Sequence, residues 1–356
     1  MRLLNFIRNP VRNFVRSKKT GGLPALPVNM VIMALLLVFT IFCLGIGKYP
    51  VTFGKSLSIL FGKIFGYSGE WNLLTENIVL KLRLPRILAT LLVGGALAAS
   101  GAAYQGVFKN PLVSPDFLGV SAGACIGAAS AILLGLSSVF IQIFAFLGGL
   151  LAVSITVSIP RLLRSSSNIM LVLSGIIVGG LMGSILGYLK YIADPETQLA
   201  PIIYWSMGSF SYIKLSELLP ILPIIVIPAI ILFRMSWWID ILSLGESEAK
   251  SLGANVRLTR NIVVVCATLM TAGSVCIAGT IGWIGLVIPH FARMITGPSN
   301  TKLLPTAILV GAFFLLAVDT ITRTIGPAEM PISILTGIIG APCFALLLYR
   351  QRMRLQ

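Results

Sequence analysis

The feature that most constrains this chain is the recurrence of long apolar runs with almost no charge inside them. They lie at about Met30–Gly47, Leu84–Phe108, Phe117–Leu136, Ile141–Ile159, Ile169–Tyr188, Leu218–Phe233, Ile262–Ala278, Ile281–Ile295, Leu303–Thr320 and Ile332–Tyr349. A run of ~20 apolar residues wound as a helix matches the hydrocarbon core of a bilayer. There a helix satisfies every backbone N–H and C=O within its own segment. The chain therefore reads as an all-α polytopic membrane protein with about ten transmembrane helices. Ten spans use up most of the 356 residues, so no soluble domain of ordinary size fits between them. With 56% hydrophobic and only 11% charged residues, a soluble enzyme is excluded.

Charge sets the orientation. Residues 1–29 form a basic segment with Arg2, Arg8, Arg12, Arg16, Lys18 and Lys19; residues 30–349 form the transmembrane domain; residues 350–356 form a basic tail. No small-residue cleavage site follows the first apolar run, so it reads as a span rather than a signal peptide. An even number of spans puts both termini on one side. On this reading 18 of the 27 lysines and arginines lie in the cytoplasm and nine outside, which places both termini in the cytoplasm. The net charge of +16 would suit nucleic acid, but the basic residues are scattered beside apolar spans and mark topology instead. Gly54-Lys55-Ser56 is a fragment of a phosphate-binding loop; its first glycine would be Tyr49, so ATP hydrolysis by this chain is excluded. The cysteines (Cys43, Cys125, Cys266, Cys276 and Cys343) stand singly in apolar runs and read as packing thiols, with no metal site.

One stretch breaks the apolar pattern. Leu242–Arg260 carries Glu246, Glu248, Lys250, Arg257 and Arg260 between two spans. Ser243 and Glu246 have capping-box spacing, Glu246 and Lys250 stand four apart, and Gly253 is a natural stop. Leu244, Ala249, Leu252 and Val256 fall roughly on another face. The spacing predicts a short amphipathic helix over about 243–254, too charged to cross a bilayer. It is either a solvated connection or a docking helix for a soluble partner.

Polar residues near or inside the spans are few. Asp319 stands four residues before Arg323, a spacing that suits a structural pair. The single histidine, His290, has no carboxylate or cysteine neighbour and reads as a packing residue. Lys81, Arg83, Arg86 and Arg323 cluster on the outer side against the charge rule, either as lipid contacts or as a basic face for an acidic protein partner. Gly94, Gly95, Ser100 and Gly101 mark the second span as central, and Gly175, Gly179, Gly180, Gly183 and Gly187 mark the fifth as closely approachable. Two prolines after Asn110 make the following loop irregular. Tyr204, Trp205 and Phe210, in the outer segment Lys190–Glu217, suit a membrane–water interface. No stripe of acids or histidines serves a proton path, which weighs against secondary transport.

Several motifs resemble one family. Arg83-Leu84-Pro85-Arg86 through Gly94-Gly95, Ser100-Gly101, Gln105, Asn110-Pro111-Leu112 and Gly119-Val120-Ser121 resemble the permeases of iron–siderophore, haem and vitamin B12 ABC importers. So do Leu244-Gly245-Glu246 with Ala249 and Ser251-Leu252-Gly253, Gly282-x-x-Gly285-Leu286-Val287-x-Pro289-His290-x-x-Arg293, and Ala328-Glu329-Met330-Pro331 with Gly337 and Gly340-Ala341-Pro342. The resemblance covers about residues 80–345. It implies the type II importer permease fold in a bacterial or archaeal cytoplasmic (inner) membrane, with no catalytic residues and no cofactor bound by this chain. The implied partners are two copies of an ATP-binding subunit that holds ATP and Mg, an extracellular or periplasmic binding protein, and a second permease subunit, identical or paralogous. Residue by residue it implies ATPase coupling at Leu244, Gly245, Glu246, Ala249, Leu252 and Gly253. It implies binding-protein docking at Arg83, Arg86 and Arg323, and a gate at Asn110 and Leu112 with Ser166, Ser167 and Asn168. The expected cargo is a metal chelate, a ferric siderophore first, with haem or cobalamin as alternatives and a molybdate-type oxyanion behind them. An ion-gradient-driven transporter is the reading from another class.

Overall fold

The computed structural model describes residues 23–67, 69, 71–164, 168–326 and 328–352. Among them the elements are helical, in the order α1 (Ala25–Gly45), α2 (Phe53–Phe65), α3 (Leu73–Asn77), a π-helical turn (Ile78–Arg83), α4 (Leu84–Phe108), a 3₁₀ turn (Pro115–Leu118), α5 (Val120–Leu133), α6 (Ser138–Leu162) and α7 (Asn168–Ile192). There follow α8 (Leu199–Met207), α9 (Leu215–Leu218), α10 (Leu222–Leu244), α11 (Glu246–Ser251), α12 (Val256–Ala278), α13 (Ile284–Thr296), α14 (Asn300–Thr322) and α15 (Ile332–Arg352).

Each of the ten predicted runs contains a helix, but only seven helices among the described residues are long and apolar enough to cross a membrane. The exceptions are Val120–Leu133, Ile284–Thr296 and the apolar stretch Ile332–Leu347. At 1.5 Å per residue the 14-residue α5 is about 21 Å long, short of a ~30 Å hydrocarbon core. The reason lies in its start. Pro115 and the left-handed Gly119 (φ 79°) divert the first residues of that run into a 3₁₀ turn.

The small residues of α4 do what their pattern predicts. A Cβ at Gly94 would lie 2.5 Å from the Gly311 carbonyl of α14, and one at Gly101 only 1.9 Å from the Gly285 carbonyl of α13. The backbones touch there, and α4 is buried along nearly its whole length from Pro85 to Phe108. Tyr104 closes the α4–α12 contact through its hydroxyl, 2.8 Å from Thr268 Oγ1. On α7 the small residues behave differently. Gly175 packs on the Phe117 carbonyl, whereas Gly179, Gly180, Gly183 and Gly187 face open space.

Neither the connection between α1 and α4 nor the outer segment Lys190–Glu217 is merely a loop. The first holds α2, ended by left-handed Gly66, and α3, whose N-cap Asn72 accepts from Thr75 N at 2.9 Å. The second folds back onto the bundle through Ser209 N to Ala278 O (2.8 Å) and Ile332 N to Gly208 O (3.0 Å). This fold-back corrects the reading of Phe210 as an interfacial ring, since it is fully buried, while Tyr204 is exposed.

Candidate functional site: two charged ends of one bundle

At one end of the bundle α10 turns into α11. The capping box predicted at Ser243 does not form. The α10 helix runs on to Leu244, Ser243 donates back to Asp240 O at 2.6 Å, and Gly245 itself precedes α11 with no side-chain cap. Gly245 has φ 154° and ψ 158°, a conformation open only to glycine, and the Glu248 carboxylate lies over it where a Cβ would stand. The motif Leu244-Gly245-Glu246 thus encodes a sharp bend between two helices. Gly253 ends α11 in the left-handed region, with Gly253 N on Lys250 O and Ala254 N on Ala249 O, both 2.9 Å. Asn255 then caps α12 by accepting from Leu258 N at 3.1 Å.

The predicted apolar face of this segment splits in two. Ala249 and Val256 are buried against the bundle, while Leu244 and Leu252 are 64% and 57% exposed. The four cannot share a face because Leu244 belongs to α10 and Leu252 to the turn after α11. Glu246 pairs with Arg260 of α12 rather than with Lys250, because the bend at Gly245 turns its side chain toward that helix. The Glu248 carboxyl is held below its ordinary value, first by its own backbone N–H and then by the Ser247 hydroxyl. The result is a six-residue helix tied at both ends, with a leucine projecting on either side.

At the other end three arginines are gathered and buried. Arg86 Nε and Nη2 reach Asp319 at 3.0 Å and 2.9 Å, and Arg86 Nη1 reaches Glu329 Oε2 at 2.8 Å. One guanidinium therefore binds two carboxylates and joins α4, α14 and the link to α15. Ser211 donates to Glu329 and adds the α8–α9 segment. Burial raises the Glu329 carboxyl, but the Ser211 hydroxyl and the Arg86 cation outweigh it and hold the group below its ordinary value. Arg83 Nη1 donates to Leu44 O at 2.7 Å and to Gly45 O at 3.1 Å, and Arg323 Nη2 donates to Cys43 O at 2.8 Å. These two arginines satisfy the orphan carbonyls at the C-terminus of α1, where a cation is also favoured by the helix dipole. The predicted Asp319–Arg323 pair is corrected accordingly: Asp319 belongs to Arg86, and Arg323 to α1.

The predicted gate is only partly in view. α4 ends at left-handed Lys109, and Asn110 Oδ1 accepts from Leu112 N at 2.9 Å, which fixes a tight turn that leaves Leu112 exposed. Ser166 and Ser167 lie outside the described residues, and Asn168 is placed only as the first residue of α7. In the α4 turn before Lys109, Gln105 accepts from Arg293 at 2.6 Å and donates to Leu286 O at 3.2 Å. His290 packs edge-on to Phe344, with ring centroids 6.3 Å apart. Sequence reasoning missed the part played by Glu329, although it stands inside the quoted motif Ala328–Pro331. It missed Asp240 altogether. No group of three or more His, Cys, Asp or Glu side chains among the described residues could hold a metal ion.

Comparison with known proteins bears on this arrangement. The model of the FecCD transport family matches residues 35–350. The chain is 40% identical over 321 residues to the molybdate import system permease protein MolB of Haemophilus influenzae, covering 89% of this chain and 94% of that one. It is 41% identical over 275 residues to a probable iron chelatin transport system permease protein of Helicobacter pylori strain 26695, covering 77% and 83%. A solved structure described as an inward-facing conformation of a putative metal-chelate type ABC transporter superposes with a TM-score of 0.81 at 36% identity, over 91% of this chain and 99% of that one. None of these matches supports an ion-gradient-driven transporter. The chain, all-helical among its described residues with seven helices there able to cross a membrane, and matched in sequence and in fold along nearly its whole length, belongs to the FecCD transport family and is an ABC transporter permease.

Proposed function

We propose that this chain is the membrane subunit of an ATP-driven importer in a bacterial or archaeal cytoplasmic membrane, with all ten apolar helices embedded and both termini in the cytoplasm. One ATP-binding subunit docks on α11 and a second on the matching helix of a second permease subunit, which packs along α7, while an external binding protein docks at the Arg86 end. The observation that carries this reading is the bend at Gly245. It sets a rigid six-residue helix outside the bundle, with Leu244 and Leu252 exposed and Ala249 holding it from behind. Exposed apolar side chains rimmed by charged residues mark a surface that a partner covers.

The unfilled positions at Gly179, Gly180, Gly183 and Gly187 suit close approach by another helix. Arg86 sits beneath Glu329, whose side chain is 35% exposed, so an acid of the binding protein reaches the basic layer of Arg83, Arg86 and Arg323 by displacing Glu329. The turn at Asn110 and Leu112, with Ser166–Asn168, forms the inner gate. The cargo is a metal chelate, with a ferric siderophore as the first assignment. A molybdate-type oxyanion is a second reading, favoured by the 40% identity to MolB.

The test is a pull-down from native membranes with this chain as bait. Co-purification of an ATPase and a binding protein is expected, and the ligand on that binding protein identifies the cargo class. Glu246→Arg with Leu252→Asp should leave the chain inserted and abolish ATPase capture. A double variant that still retains its ATPase and still transports overturns the coupling assignment.

A further inference from the structure

Asp240 lies four residues before Leu244, in the last turns of α10. Its carboxylate is committed to the start of a different helix. Oδ1 accepts from the backbone N–H of Asn300 at 2.6 Å and from Asn300 Nδ2 at 2.8 Å, and Oδ2 accepts from the Ser299 hydroxyl at 2.7 Å. Ser299 is the N-cap of α14 by position, yet it makes no cap bond to that helix and gives its hydroxyl to Asp240 instead. The N-terminus of α14 is thus capped by a carboxylate from α10, in the sense that the helix dipole favours.

The far end of α14 is pinned in a similar way. Asp319, near its last turn, is held by Arg86 of α4, and Arg86 also holds Glu329. The 23-residue helix is about 34 Å long, so it spans the distance between the two charged ends. Along its length the Gly94–Gly311 backbone contact fixes it against α4. The segment that carries α11 is therefore joined, by the Asp240 carboxylate beside direct α10–α14 packing, to a strut that ends in the Arg86 cluster.

We propose that Asp240 is a positioning residue that passes displacement of the α10–α11 segment to α14, and through it to the Arg86 end. The proposal rests on the reading of α11 as the ATPase dock. The chemistry suits a moving joint. Hydroxyl and amide donors on a half-buried carboxylate hold direction, and they exchange with water at small cost when the joint shifts. Two acceptor oxygens are needed because four donors converge on them, the fourth being Thr301 N–H at 3.5 Å from Oδ2. An asparagine would turn one acceptor into a donor facing other donors.

The experiment uses the whole complex in proteoliposomes and compares ATP hydrolysis with and without the purified binding protein. For Asp240→Asn the ATPase should co-purify in the wild-type ratio, while stimulation by the binding protein falls by about tenfold, the weight of one helix cap read as a coupling factor. Asp240→Glu, which keeps both acceptors, should recover most of the stimulation. Stimulation within twofold of wild type in Asp240→Asn overturns the proposal. So does an equal proportional fall in basal and stimulated hydrolysis, which marks a cap with no transmitting role. A wild-type chain that captures no ATPase overturns the α11 reading instead.

Discussion

Replacing Asp319 by leucine tests the electrostatics at the Arg86 end. The carboxylate is fully buried and the Arg86 side chain is 10% exposed, so solvent screens little of their attraction. Removing the acid strands Nε and Nη2 of a guanidinium that now donate to it at 3.0 Å and 2.9 Å. Breaking one partner of such a pair costs about 3–5 kcal/mol. Glu329 still neutralises Nη1 from 2.8 Å, which puts the expected loss at the low end, about 3 kcal/mol. Replacing both residues, as Arg86→Met with Asp319→Leu, removes the stranded cation and leaves an apolar contact. Glu329 is then unpaired but partly solvated and still bound by Ser211. The double variant should lie within about 1.5 kcal/mol of wild type and be more stable than the single one. Unfolding in mixed micelles with increasing SDS reads both. A single variant within about 1 kcal/mol of wild type, or a double variant less stable than the single, refutes the reasoning.

Other expectations follow from the packing and the charges. Gly101→Ala places a methyl 1.9 Å from the Gly285 carbonyl and should cost at least about 3 kcal/mol in the same assay or prevent folding. Gly187→Ala meets no neighbour and should stabilise the isolated subunit by up to about 1 kcal/mol, while lowering its pairing with a second permease on size-exclusion light scattering. Because the folded Glu329 carboxyl titrates below its ordinary 4.5, its contribution is present above that value and is lost as pH falls through the folded one. Glu329→Gln should therefore flatten the acid limb of the stability–pH profile. Tyr104→Phe removes the hydroxyl bonded to Thr268 and should cost about 1 kcal/mol on unfolding.

What the sequence could reveal depended on how far apart the interacting residues stand. The central place of α4 was legible because Gly94, Gly95 and Gly101 report close backbone approach whatever the partner. The position of α11 was legible because charge interrupts an apolar pattern locally. The partner of Asp319 was not. Arg323 at i+4 is the neighbour that helical periodicity offers, while Arg86 lies 233 residues away and is brought in only by the α4–α14 contact. The capping box failed for a similar reason. Ser243 and Glu246 have the right spacing, but nothing in that spacing shows that α10 continues to Leu244 and leaves Gly245 to bend the chain. Asp240 was invisible because its role exists only when Ser299 and Asn300 are folded against it.

The two arginines that close the end of α1 also bear on the order in which the protein is made. The carbonyls of Cys43 and Leu44 leave the ribosome early, but their donors come much later. Arg83 follows Leu44 by 39 residues, and Arg323 follows Cys43 by 280. At about 5–20 residues per second the second donor arrives roughly 15–55 s after its acceptor. Until then the Leu44 and Gly45 carbonyls already have Arg83, while the Cys43 carbonyl still lacks its arginine donor. That bond forms only when the end of α14 packs against α1, so the last third of the chain completes the first helix.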